Sequence, residues 1–189
     1  MNGSLAIEIR DDIRDSLRLA GYSRDIWWLM VSAHPDRQRF AEGMERFIHF
    51  FEPTLSAHYV NFVITLARIY DASNDAFSLN RLFEFVALNP SSRGKPVPEI
   101  RAALDTATAV GRRLYLVRSK RIAHRTDKML KRDIYAEASL TYDATRDLLR
   151  DTQAIFSDIS YHLDQTREDF SDSAEPDFRA LLNAILATP

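Results

Sequence analysis

The apolar residues of this chain recur at spacings of three and four along most of its length, and this pattern restricts its fold most. The stretch from Leu5 to Ala20 and the stretch from Ile100 to Val117 both show it clearly. The chain of 189 residues has only 5 Gly and 7 Pro, which leaves few turns for a fold built of many short strands. The sequence therefore predicts an all-α fold, a helical bundle.

Helix-breaking residues divide the first half of the chain. Gly21 is predicted to end the first helix, and a short helix then runs from Tyr22 to Ala33, before a Pro-containing break at residues 34–36. Pro53 is predicted to end the next helix. Thr54 is then expected to cap the most apolar helix, which we place at the centre of the bundle.

The second half of the chain is divided by equally clear signals. Ser78 is predicted to cap a short helix, and residues 89–96 form the clearest loop in the sequence. Pro98 can open a long helix, and residues 140–163 have the pattern of another. Pro176 is predicted to start a last helix, which either closes the bundle or packs on a second chain.

The length and composition fit one soluble domain over residues 1–189, since 46% of the residues are hydrophobic and 28% are charged. The absence of Cys excludes disulfides, thiolate metal sites and a Cys nucleophile. The first 20 residues lack the apolar core of a signal peptide, and no window approaches 18 consecutive apolar residues. We therefore expect a cytoplasmic protein with no membrane partner.

The formal net charge of −2 hides an uneven distribution. Nine basic and two acidic side chains lie between residues 110 and 133, which gives this segment a charge of +7. Residues 151–189 carry eight acidic and two basic side chains, a charge of −6. One interpretation is two solvated faces of a bundle. The other is an anion-binding patch whose acidic counterpart competes with the ligand or keeps the protein soluble.

The basic segment contains an Arg and a His separated by five residues, Arg118 and His124. A His can accept and donate protons near neutral pH, and an Arg presents fixed donors that match a phosphate. These residue types suit metal-independent cleavage of RNA, with Lys120, Arg121 and Arg125 as contacts to the RNA backbone. The alternative is a helix C-terminus with cations favoured by the helix dipole and an ordinary His cap.

Helix geometry limits how Arg118 and His124 can meet. Six steps of an unbroken helix would place them about 120° apart. Convergence therefore needs a helix that ends or distorts between them, or a site built from two chains. A two-fold dimer would present two Arg and two His around one cleft.

Two short motifs resemble the signature of HEPN domains, particularly the abortive-infection (AbiU2-like) type. The downstream motif comprises Arg118, Lys120, Ala123, His124, Arg125 and Asp127, and the upstream one comprises Leu66–Asp71, Asn74, Ser78 and Leu79. The resemblance covers about residues 27–161, so the expected fold is a HEPN-like bundle with extra N- and C-terminal helices.

This resemblance implies a homodimer whose Arg–His motifs face each other. Many such domains are metal-independent ribonucleases of toxin–antitoxin or anti-phage systems, some with an antitoxin partner, whereas others are inactive and bind RNA, nucleotide or a partner protein. The implied catalytic residues are Arg118 and His124. The implied RNA-binding residues are Ser119, Lys120, Arg121, Arg125, Thr126 and Asp127. At the position after the Arg, Ser119 replaces the usual Asn, Asp or His. Two residues after the His, Thr126 replaces a Tyr that a partner enzyme modifies in some toxins of this type.

Other chemistry is poorly supported by the sequence. The remaining His residues are scattered, so we predict no metal site and no cofactor. Asp71 and Asp75 are explained better by turn capping than by cation binding. Trp27 and Trp28, together with Phe47, Phe50 and Phe51, could offer a base-stacking platform, although aromatic residues at helical spacing more often belong to a core. Nucleotide-binding loops and helix-turn-helix patterns are absent.

Overall fold

The computed structural model describes residues 3–31, 34–73, 75–119 and 140–187. Within these ranges the chain forms helices and no strand, which confirms the all-α prediction. The described helices are α1 (Gly3–Met30), α2 (Arg37–Arg46), α3 (Ile48–Ile69), α4 (Leu79–Leu88), α5 (Val97–Val117), α6 (Tyr142–Asp164) and α7 (Glu175–Ala187).

The first helix does not stop at Gly21, so the predicted division into two helices was wrong. Helix α1 runs without interruption from Gly3 to Met30. An internal glycine costs a helix about 1 kcal/mol relative to alanine. The fully buried Leu17, Ala20 and Leu29 lie on both sides of Gly21, and packing of this apolar stripe outweighs that cost.

The prediction that Pro53 ends a helix was also wrong. The break falls at Phe47, and Pro53 lies inside α3, near its N-terminus. There the missing N–H would have paired with the carbonyl of His49, which is on an exposed turn that water can reach. Thr54 does not cap the helix, because its hydroxyl donates to the carbonyl of Phe50 at 2.6 Å.

The later helix boundaries agree with the sequence. The Ser78 hydroxyl accepts from the backbone N–H of Arg81 and so caps α4. Residues 89–96 form the loop before α5, with Pro98 in the first turn of that helix. Helix α7 begins at Glu175, next to the predicted Pro176.

The larger core joins α1, α3, α4, α5 and α6. Helix α1 packs against α3, α4, α6 and α7, so it occupies the central position that the sequence analysis gave to α3. Helix α3 packs between α1 and α5, and Phe62 and Leu66 are among its buried contacts with the core.

A second, smaller core lies where the end of α1 meets α2, the start of α3 and α7. Phe178 and Leu182 of α7 are buried against Phe40, Met44 and Phe51. The last helix therefore closes the bundle of its own chain. Every helix in the described ranges is too short or too polar for a bilayer crossing.

Tyr70 joins three helices at the end of α3. A Cβ added to Gly111 of α5 would lie 2.4 Å from Cγ of the Tyr70 ring, so the ring packs directly on the α5 backbone. The Tyr70 hydroxyl is 2.5 Å from Thr152 Oγ1 of α6, and Thr152 also donates to the Leu148 carbonyl. Burial raises the pKa of the Tyr70 phenol far above its ordinary value, and the group is neutral at all physiological pH values.

His162 of α6 holds the loop between α4 and α5. Its Nδ1 accepts from the backbone N–H of Ser91 at 3.0 Å, and its Nε2 donates to the Lys95 carbonyl at 2.8 Å. The ring lies against the backbone of Gly94, where a Cβ would come within 2.3 Å of it. These contacts fix the point at which α5 begins.

Replacing Gly111 with Ala should destabilise the fold by about 1–3 kcal/mol, because the new methyl group has no room beside the Tyr70 ring. Gly21→Ala is the matched control, since the nearest neighbour of its Cβ would be Gln153 Nε2 at 3.9 Å. It should stabilise α1 by up to about 1 kcal/mol. Urea unfolding of both variants measures the two changes. Equal effects of the two substitutions would contradict the close packing at Tyr70.

His34 lies at the turn between α1 and α2 and is buried. Its Nδ1 accepts from the backbone N–H of Asp36 at 3.0 Å, and its ring meets the Trp28 ring edge-on at 5.5 Å. Burial lowers the pKa of His34, and the nearby charge of Arg179 lowers it further, against the opposing charges of Asp36 and Glu175. The folded protein therefore favours the neutral imidazole.

This depressed pKa makes stability depend on pH in one direction. Because the unfolded chain takes up the proton more readily, the stabilisation is fully present above about pH 6.5 and is lost as the pH falls through the lower pKa of the folded state. The contribution of one histidine should not exceed about 1.4 kcal/mol per pH unit. His34→Asn keeps an acceptor for the Asp36 N–H but cannot titrate. Its thermal unfolding should depend less on pH than that of the wild type, and an identical dependence would refute the role of His34.

Candidate functional site

Arg118 lies immediately after α5, where the backbone changes its geometry. Val117, the last residue of the helix, is completely buried and anchors this end. Arg118 and Ser119 continue in a wider π-helical turn and are half-buried. Such turns often occur at functional sites. The structure thus places the predicted catalytic Arg at an accessible helix end whose backbone is fixed by the core.

Two side chains define the surroundings of Arg118. Its guanidinium carbon lies 5.2 Å from the centre of the Tyr115 ring, one turn earlier in α5. Its charge also helps to lower the pKa of Asp71, after the larger effects of the Ser73 backbone N–H and hydroxyl. Asp71 belongs to the upstream HEPN-like motif and Arg118 opens the downstream one, so the fold brings these two motif residues within electrostatic reach of each other.

Asp71 has a structural role in its turn. One carboxylate oxygen accepts from the Ser73 N–H at 2.9 Å and from the Ser73 hydroxyl at 2.8 Å. This arrangement confirms the expectation that turn capping explains Asp71. No cluster of His, Asp and Glu suited to a metal ion occurs in the part of the chain that the structure describes.

Most other predicted site residues fall outside the described ranges. These are Lys120, Arg121, His124, Arg125, Thr126 and Asp127. The convergence of Arg118 and His124 therefore stays a prediction, as do the contacts of these residues with RNA. Of the predicted set, Arg118 and Ser119 are the residues that the structure positions.

A cavity of about 350 Å³ adjoins this end of α5. It lies between α1, α3, α5 and the start of α6, and sequence reasoning did not find it. Its described lining comprises Trp27, Tyr59, Leu114, Val117, Leu140, Thr141, Tyr142 and Thr145. Val117 lines the cavity and directly precedes Arg118 in the chain, so the cavity and the backbone of Arg118 share this end of α5.

The aromatic side chains group differently from the predicted stacking platform. Trp27 lies 5.2 Å from Tyr59 and 5.7 Å from Tyr142, measured between ring centres. Trp28 stacks on Tyr142 at 3.8 Å and 11°. Phe51 is instead buried in the second core, 6.5 Å from Phe178. Phe51 therefore belongs to a core and not to a stacking platform, because α3 places Tyr59 beside Trp27 but carries Phe51 into the second core. Phe47 and Phe50 are exposed.

Arg24 of α1 reaches this aromatic group. One of its terminal nitrogens donates to the Tyr142 hydroxyl at 3.3 Å, and the other donates to Asp25 at 3.0 Å. Its Nε is buried and has no acceptor among the described residues. Arg24 therefore contacts the hydroxyl of Tyr142, a wall residue of the cavity.

The acidic C-terminal stretch pairs with basic residues along the bundle. Asp164 forms an ion pair with Arg10, and Glu168 lies 3.7 Å from Arg14. Asp158 pairs with Lys95 of the α4–α5 loop at 3.1 Å. These contacts account for part of the acidic stretch, and both interpretations of the basic segment stay predictions, because most of it falls outside the described residues.

The family comparison agrees with this geometry. Residues 5–181 match the family model described as HEPN_AbiU2, AbiU2, a range that begins in α1 and ends in α7. Comparison with curated proteins and with solved structures finds no match. The upstream and downstream motifs both lie within the matched range. The chain therefore belongs to the AbiU2 family and is a HEPN-type module of the abortive-infection kind.

Proposed function

We propose that this protein is a metal-independent endoribonuclease of a toxin–antitoxin or anti-phage system, acting through Arg118 and His124 at a homodimer cleft. The observation that carries the proposal is Arg118 at the accessible end of α5, held by the buried Val117 in a chain of the AbiU2 family. Its guanidinium lies over the Tyr115 ring, and its charge helps to lower the pKa of Asp71.

The chemistry follows from the properties of the two residue types. A His124 imidazole accepts the proton of a ribose 2′-hydroxyl, whose oxygen attacks the adjacent phosphorus. The bond from phosphorus to the 5′-oxygen breaks, and a protonated imidazole, supplied by the second subunit, donates the proton that this oxygen needs. Arg118 stabilises the negative charge that grows on the phosphate oxygens. The products are a 2′,3′-cyclic phosphate and a free 5′-hydroxyl.

The wider turn at Arg118 is relevant to how the two residues meet. The separation of about 120° holds for a regular α-helix. That regularity ends at Arg118, where the backbone enters the π-helical turn. In the proposed mechanism Arg118 and His124 approach each other either because the helix changes its phase from this point or because one of the two residues comes from the partner subunit.

Ser119 and the cavity at the end of α5 favour a second function. Ser119 occupies a position where active domains of this type often have Asn, Asp or His. The cavity beside Arg118 is large enough for a small ligand. A catalytically inactive module that binds RNA, nucleotide or a partner protein is therefore the alternative.

His124→Ala should reduce RNA cleavage by about 10²–10⁴-fold, the usual contribution of a general acid–base group, and Arg118→Ala by about 10²–10³-fold, the usual contribution of a donor that stabilises transition-state charge. We expect cleavage by the wild type to continue in EDTA. A gel assay with a labelled RNA measures the rate, and resistance of the 3′-end to tailing identifies the cyclic phosphate. Arg112→Ala is the matched control, because Arg112 is an exposed cation on the same helix. Full activity of the His124 variant would exclude its catalytic role.

Mixing the two inactive variants tests the shared cleft. If Arg118 of one subunit works with His124 of the other, the heterodimer of Arg118→Ala and His124→Ala subunits keeps one complete Arg–His pair and regains part of the activity, with water in place of the missing second imidazole as the proton donor to the 5′-oxygen. Light scattering should show dimers for each variant alone and for the mixture. A monomeric protein would contradict the composite site, and an inactive wild type that still binds RNA would favour the alternative function.

RNA binding should weaken with salt because cations on the protein displace counterions from phosphates. Each phosphate contact contributes about −0.7 to the slope of log affinity against log salt for single strands. The triple substitution of Lys120, Arg121 and Arg125 by Ala should reduce the steepness of that slope by roughly 2. A triple substitution of Arg93, Arg146 and Arg150 by Ala removes the same charge elsewhere and should change it much less. Equal effects would show that the basic segment is not the binding surface.

A further inference from the structure

The cavity beside Arg118 is not explained by the proposed cleavage chemistry. It has a volume of about 350 Å³, within the range of roughly 300–1,000 Å³ that small-molecule sites occupy. Its walls come from four helices or helix ends of the larger core, so its shape is set by the packing of the bundle rather than by one loop.

The walls suit a flat apolar ligand. Trp27, Tyr59 and Tyr142 contribute aromatic rings, and Leu114 and Val117 are buried aliphatic residues on the α5 side. The rings of Tyr59 and Tyr142 both lie within 6 Å of Trp27, centre to centre. Aromatic rings favour other planar ring systems, because each base or ring presents a face for stacking.

The rim offers both hydrogen-bonding roles that the edge of a base requires. The Thr141 hydroxyl accepts from the Ala144 N–H at 3.1 Å, which leaves its own proton for an acceptor on a ligand. The Thr145 hydroxyl donates to the Tyr142 carbonyl at 2.7 Å, which leaves its oxygen able to accept. A nucleobase carries donors and acceptors on one edge and is apolar on its two faces.

Two cations next to wall residues of the cavity distinguish a nucleotide from an uncharged aromatic ligand. Arg118 follows the wall residue Val117, and Arg24 donates to the hydroxyl of the wall residue Tyr142. An apolar slot for a ring with an Arg next to it fits a base joined to a phosphate. An aliphatic ligand would use neither the aromatic walls nor the cations.

We propose that this cavity binds one nucleobase of the RNA whose phosphate contacts Arg118. The proposal deepens the proposed function and rests on it, since it gives the ribonuclease a base-binding subsite next to its cleavage site. Thr141 and Thr145 contact the edge of the base, and Trp27, Tyr59 and Tyr142 contact its faces and sides.

The two Trp residues of the chain provide a direct readout, because Trp27 lines the cavity and Trp28 stacks on Tyr142. Adenosine or uridine 5′-monophosphate should quench the tryptophan fluorescence of the intact wild-type protein in a saturable way. Ribose 5-phosphate, which has the phosphate and sugar but no base, should bind at least about tenfold more weakly, since stacking is lost. Absence of saturable binding of both nucleotides, checked by equilibrium dialysis, would overturn the proposal, and so would equal binding of ribose 5-phosphate.

Two variants locate the binding in the cavity. Thr145→Phe fills the cavity and should weaken nucleotide binding at least about tenfold, whereas Thr106→Phe, at an exposed threonine of α5 whose hydroxyl also donates to a carbonyl of its own helix, should bind like the wild type. Tyr59→Leu keeps an apolar wall but removes a ring, so a comparable loss is expected even if Thr145→Phe fails to fold by circular dichroism. Unchanged binding in a folded Thr145→Phe or Tyr59→Leu variant would place the nucleotide elsewhere and refute the proposal.

The same variants distinguish base binding in the cavity from RNA cleavage. Nucleotide binding that disappears in Thr145→Phe, in a protein without RNA cleavage, supports the subsite and rejects the enzyme. RNA cleavage at the wild-type rate by a folded Thr145→Phe variant supports the enzyme and rejects the subsite. If N-acetylphenylalaninamide quenches the fluorescence as well as the nucleotides do, the cavity takes an aromatic side chain of a protein, and the nucleobase proposal is overturned.

Discussion

The packing of the Tyr70 ring on Gly111 and its hydrogen bond to Thr152 determine how α3, α5 and α6 meet. The ring occupies the place where a side chain of α5 would otherwise lie, so the two helices approach closely at this level. Because the phenol is buried and neutral, the hydrogen bond does not depend on pH in the physiological range. A single side chain thus sets the direction of the helix that ends at Arg118.

The site at the end of α5 follows from this arrangement. Tyr70 precedes Asp71, and the turn that Asp71 forms with Ser73 brings a carboxylate near Arg118. The π-helical turn begins directly after the buried Val117. Arg118 therefore follows a buried helix end although its own side chain is only half-buried, which is the arrangement that the proposed contact with a phosphate requires. The cavity beside it uses the same helix end.

The sequence alone predicted the helical class, the Ser78 cap, the loop at residues 89–96 and the motif residue Arg118, because each depends on local chemistry. It failed at Gly21 and Pro53, where tertiary packing overrides local helix-breaking tendencies. It also missed the cavity. Tyr59 and Tyr142 are far apart in the chain, and only the packing of α3 and α6 against α1 brings both rings to Trp27. No spacing rule within one helix could have indicated that these rings are in contact.

The continuity of α1 through Gly21 has a consequence for how the molecule unfolds. The same helix supplies Leu17 and Ala20 to the larger core and Leu29 and Met30 to the smaller one. Melting of the smaller core would strip contacts from the last turns of α1 and loosen Trp27, which lies between the two groups of residues. The two cores are therefore coupled mechanically, and amide hydrogens along α1 should be exchanged with solvent in one cooperative opening that includes the wall of the cavity.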